Sequence, residues 1–99
     1  MTSPSSSGAL EAVERVLNRG GEPDEVLLAI VAALHERFPY VAIRLVEGDH
    51  VAAGPPTDAV TEPVVFKGSR VAELALATED EALVRRLATI ISPYCGRAS

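Results

Sequence analysis

The stretch "VAIRLVEGDHVAAGPP", residues 41–56, decides the architecture. Apolar and polar side chains alternate along its first half with the period of two that belongs to a β-strand. Gly48-Asp49 marks a tight turn of type II′ or a related type, so residues 40–47 and 50–54 read as a β-hairpin. Pro55 and Pro56 close the second strand, since proline cannot donate to a ladder. The hairpin leaves a helix that must stop at Pro39 in "HERFPY".

Working upstream, "EPDEVLLAIVAALHERF" carries Leu27, Ile30, Val31, Leu34 and Phe38 at helical spacing. Pro23 sits near its first turn, where a missing N–H costs nothing, and Asp24 and Glu25 suit the positive end of the dipole. Before it, "ALEAVERVLNRGG" places Leu10, Val13 and Leu17 on one stripe, with Gly20-Gly21 available to end the helix. The opening "MTSPSSSG" offers no apolar anchor, and residues 1–8 are expected to form a disordered tail.

Downstream, "VTEPVVF" (60–66) and "RVAELALA" (70–77) flank the short turn "KGS" and predict a second hairpin. Pro63 removes one backbone donor, so residues 60–66 belong at a sheet edge or begin pairing only after Pro63. "TEDEALVRRLATIIS" then opens with Thr78 and Glu81 at capping-box spacing and is expected to stop at Pro93. Its stripe is Leu83, Leu87, Ile90 and Ile91, widened by Val84 and Ala88. The order α-α-β-β-β-β-α predicts an α+β domain with a four-stranded antiparallel sheet, spanning residues 9–95 with a C-terminal tail at 96–99.

The totals bound the function. Ninety-nine residues make one domain, and apolar residues at 47% with two Phe, two Tyr and no Trp require an aliphatic core. A net charge of −5, with the basic residues scattered, argues against a phosphate-tracking nucleic-acid binder. Cys95 is the single cysteine, which excludes an internal disulfide and a multi-cysteine zinc site. Neither a signal peptide nor an apolar run of the roughly 18 residues that a bilayer span needs is present, so a cytoplasmic protein without membrane association is expected.

Strand alternation divides the sheet into two faces. Val41, Ile43 and Leu45 share one with Ala72, Leu74 and Leu76, and the helices are expected to cover it. Ala42, Arg44 and Val46 share the other with Val71, Glu73, Ala75 and Ala77. Arg44 and Glu73 are the one charged constellation there. They read as a cross-strand ion pair over alanines or as a seat for a small anionic ligand.

At this point the chain resembles the GAF domains. "DEVLLAIVAALHERFPYVAIRLVEGDHVAAGPP" is similar to that family's second helix and first hairpin, and "PVVFKGSRVAELALATEDEALVRRLATIIS" to its closing segment, with Ala72 where the family usually has glycine. The resemblance implies a sheet of order 2-1-4-3 with N- and C-terminal helices on one face and, in ligand-binding members, a pocket on the other. It also places Arg44 beside Glu73. Most members insert several tens of residues between the second strand and the Pro-Val strand to wall and lid that pocket, whereas here only "PPTDA" and its neighbours bridge the gap. So short a connection predicts a face without an enclosed chamber.

The chemistry expected is correspondingly spare. The free methionine-R-sulfoxide reductases within the family use cysteines of the middle segment and acids near the closing strands, but this chain has no cysteine there and Ala75 and Ala77 in place of the acids. Cys95 reads as a packed thiol and His35 as a boundary residue. His50 with Glu47 and Asp49 falls short of a metal spacing. No cofactor, metal site or catalytic residue is therefore expected. The predicted function is a non-catalytic interaction or regulatory module, a homodimer meeting its copy, or another protein, through Leu10, Val13, Leu17, Val84, Ala88 and Ile91. The alternative is a small-molecule sensor using Arg44 and Glu73 on the open face.

Overall fold

A computed structural model describes residues 5–97. The chain opens with two helices, α1 (Ser5–Arg19) and α2 (Pro23–His35), joined by a turn in which Gly20 takes φ 76°. Residues 1–4 of the expected tail lie outside the described residues, while Ser5–Gly8 are helical rather than part of a tail. The buried stripe of α1 is Ala9, Val13 and Val16, with Leu10 and Leu17 on its flank. This is a rotation about Val13 from the expected Leu10/Val13/Leu17 stripe, and the smaller side chains let α1 lie close against α2.

At the start of α2 the Glu22 N–H donates to the Glu25 carboxylate at 3.3 Å. Val26, Leu27, Ile30, Val31 and Leu34 turn inward. The helix closes where the Phe38 N–H reaches the Leu34 carbonyl at 2.9 Å, one residue ahead of Pro39.

Four strands follow: β1 (Val41–Leu45), β2 (His50–Ala53), β3 (Val60–Phe66) and β4 (Ser69–Leu76). They form one antiparallel sheet in the order β2-β1-β4-β3. The β1–β2 turn differs in detail from the expected two-residue type. The Gly48 N–H donates to the Leu45 carbonyl at 3.0 Å, which puts Val46 and Glu47 at its centre, and Gly48 takes the left-handed bulge position at φ 110°. The β3–β4 turn is a two-residue loop with both members at positive φ, Lys67 at 52° and Gly68 at 80°.

Helix α3 (Glu81–Arg97) departs from expectation at both ends. Asp80, not Thr78, is its N-cap: the Leu83 N–H donates to the Asp80 carboxylate at 3.1 Å. Thr78 instead accepts from the Asp80 N–H at 3.1 Å in a local turn. Pro93 does not stop the helix, which continues to Arg97 and so takes in part of the expected tail 96–99; residues 98–99 lie outside the described residues. The carbonyl that Pro93 leaves without an amide partner belongs to Thr89, and the Ser92 hydroxyl donates to it at 2.9 Å.

Helix α2 lies across β1 and β2, α3 lies across β3 and β4, and α1 packs on α2. Their inner faces share one core with Val41, Ile43, Val64, Ala72, Leu74 and Leu76, the same side of the sheet throughout. That core is aliphatic, and no polar or charged residue is buried among the described residues. None of the described helices is long and apolar enough to cross a membrane.

Candidate functional site: a groove on the helix-free face

The strand register assigns the other face row by row. Ala52, Ala42, Ala75 and Thr61 lie side by side across all four strands. The next row is His50, Arg44, Glu73 and Pro63. Of this row Thr61 and Ala75 line a groove, and at Ala75 only a methyl group stands above the backbone. The Arg44/Glu73 row rises beside it as a charged wall.

The opposite wall comes from outside the sheet. Tyr40 is only 7% exposed and Ala42 only 1%, yet neither belongs to the helix-side core. Tyr40 shares a groove with the β2–β3 connection, whose residues 56–59 come back to this end of the sheet. The result is a half-open groove of about 330 Å³ lined by Tyr40, Arg44, Thr61, Glu73, Ala75 and residues 56–59. The short connection walls the groove without roofing it, so the face carries a concavity and not an enclosed chamber.

Gly54 holds this connection in place. Its φ of 86° is left-handed, and a Cβ there would overlap the Pro39 carbonyl oxygen and come within 2.9 Å of the His35 ring. The His35 Nδ1 lies 3.2 Å from the Phe38 carbonyl. His35 therefore serves the junction between the end of α2 and the start of the linker.

The expected Arg44–Glu73 ion pair does not form. Glu73 is bound instead by Arg70, Nη2 to Oε2 at 3.4 Å. In a regular strand residues three apart point to opposite faces. The β-bulge between Val64 and Val65 inserts Val71 as an extra residue of β4 and brings Arg70 round to the side of Glu73. The Arg44 guanidinium has no ion pair or hydrogen bond among the described residues. Arginine stays protonated throughout the accessible pH range, so the groove presents a permanent cation with five donors.

The remaining candidates fall elsewhere. His50, Glu47 and Asp49 are exposed at the hairpin tip, and the described residues hold no cluster of three or more His, Cys, Asp or Glu able to bind a metal. Cys95 points into the core, where burial pushes its thiol from 9.0 up to about 11. Of the six residues expected to face a second copy, Val13, Val84, Ala88 and Ile91 are buried in the chain's own core and are not available to a partner. Leu10 and Leu17 keep part of their surface. A larger, wide-open concavity of about 570 Å³ lies across the linker beside the start of α3. It presents Asp58, Glu79 and Glu81 and no basic side chain.

The sequence signalled Arg44 and Glu73 but not Tyr40, Thr61 or the linker wall. The alternating alanines 42, 52 and 75 were the available clue: once the hairpin register is set, they fall into a single row. No protein-family model, curated protein or solved structure matches the chain.

Proposed function

We propose that this chain is a non-catalytic regulatory module of GAF-like design that senses a small anionic ligand held against Arg44. The observation that carries the reading is the unpartnered guanidinium standing at the edge of a pre-formed groove lined at the sheet by Thr61 and Ala75. A charge-assisted fork from arginine is the strongest side-chain recognition of a carboxylate or phosphate. The single thiol is buried and held protonated, away from the groove. Walls that leave the ligand half in water suit a sensor of abundant metabolites better than a tight carrier.

A thermal-shift screen of small carboxylates and phosphates at millimolar concentration tests this. A ligand present at 100 times its Kd raises stability by about 2.7 kcal/mol, a readily measured rise in Tm. Arg44→Ala is expected to remove the shift and Arg44→Lys to weaken it. Ligands that stabilise wild type and Arg44→Ala equally would contradict the assignment.

A second reading, a module that pairs with another copy, is favoured by one feature. Leu10 lines a shallow groove of about 440 Å³ with Ala82 and Leu83 of α3, edged by Asp80, Arg86 and the Glu62-paired Arg85, while α1 carries exposed Glu11 and Glu14. Sedimentation of wild type and Leu10→Glu at several concentrations tests it: a concentration-dependent dimer lost in the variant supports pairing, and a monomer throughout removes it.

A further inference from the structure

We infer that the ligand of the Arg44 groove is a zwitterion, a small molecule carrying a carboxylate and an ammonium a few atoms apart, of the chemical class of short α-amino acids. The inference rests on the anion reading above and narrows it. Arg44 does not stand alone. Glu73 is its direct partner across β1 and β4, and Asp58 reaches the same groove from the linker.

Glu73 spends one oxygen, Oε2, on Arg70, while Oε1 has no partner among the described residues. Asp58 likewise has no hydrogen bond or ion pair among them. A carboxylate accepts at both oxygens, so each acid retains acceptor capacity directed at a cation. A plain mono- or dianion placed on Arg44 would share the groove with these like charges, and such juxtaposition is a selective penalty. An ammonium next to the carboxylate turns that penalty into a second contact.

Size follows from the same walls. The methyl of Ala75 leaves depth for a small body, and Thr61 and Tyr40 add neutral polar lining. A half-open groove of about 330 Å³ is at the lower bound for small-molecule sites, which suits a small occupant.

Calorimetric titration of the full chain with matched sets tests this. Glycine, L-alanine and L-norvaline are each compared with the acid lacking the amine (acetate, propionate, pentanoate) and the amine lacking the acid (methylamine, ethylamine, butylamine). At least one amino acid is expected to bind about tenfold or more tightly than both of its analogues, the worth of one charged hydrogen bond. Glu73→Gln and Asp58→Asn, both surface changes, are expected to bring the amino acid down toward its des-amino acid while leaving the latter unweakened. Arg44→Ala removes both. Des-amino acids that bind as tightly as the amino acids overturn the zwitterion while leaving the anion reading standing. Failure of every carboxylate in the series and of inorganic phosphate, with circular dichroism showing folded protein, overturns both.

Discussion

Gly54 shows how one missing side chain serves both stability and the site. It starts the linker that walls the groove, and its left-handed φ and lack of Cβ let the chain pass against the Pro39 carbonyl. Gly54→Ala combines a strained backbone with a steric overlap and is expected to cost about 2–4 kcal/mol, read as a lowered urea midpoint. An unchanged midpoint would mean the linker leaves the sheet along another path. Cys95 is a second residue whose environment makes a pH prediction. Burial raises its thiol to about 11, so the folded state keeps the proton that the unfolded state releases above 9.0. The contribution of the neutral thiol is complete below pH 9 and is lost as the pH climbs from 9 toward 11, by roughly 2–3 kcal/mol in all. Cys95→Ala is expected to flatten the stability profile across that window. An identical alkaline slope in the variant would place its origin elsewhere.

At the scale of elements, α3 is the instructive case because two local signals competed at each end. Thr78 and Glu81 have capping-box spacing, but Asp80 sits three residues before Leu83 and its carboxylate takes the helix N–H, leaving Thr78 a turn of its own. Pro93 removes a hydrogen bond, yet burial of Cys95 and the packing of Phe66 against Gly96 favour one more turn. Ser92 makes that turn affordable by capping the Thr89 carbonyl. Ser92→Ala is therefore expected to destabilise by about 0.5–1 kcal/mol, and the loss to vanish in a Pro93→Ala background, where residue 93 supplies the amide itself. Equal losses in both backgrounds would show that the hydroxyl has no such role. The strands were more legible than the helix ends, because an alternating pattern in a sheet covered on one side leaves only one register that buries Ile43 and Leu74 together. The rotation of the α1 stripe was not legible: Ala9/Val13/Val16 and Leu10/Val13/Leu17 are both helical stripes, and only the closeness of α2 selects the smaller set.

For the whole molecule, the sequence carried the antiparallel α+β architecture, the helix-covered face and the shortness of the β2–β3 connection. It did not carry the pairing of Glu73 with Arg70, which depends on a bulge between strands, or the groove beside Tyr40, which depends on where a loop comes to rest. Those two non-local facts change the reading of the molecule. One frees Arg44, and the other turns a flat face into a groove. The stripes expected to join two copies are instead largely spent on the chain's own core, as a domain of 99 residues requires. The most direct measurement is a titration of ¹⁵N-labelled protein with glycine, L-alanine and L-norvaline in turn, followed by amide chemical shifts. Perturbations are expected to cluster at Ala42, Arg44, Thr61, Glu73, Ala75 and residues 56–59, and to disappear in Arg44→Ala. Shifts gathered instead around Leu10 and Leu83, or none up to about 10 mM, weaker than the millimolar affinity of the faintest useful sensor, would contradict it.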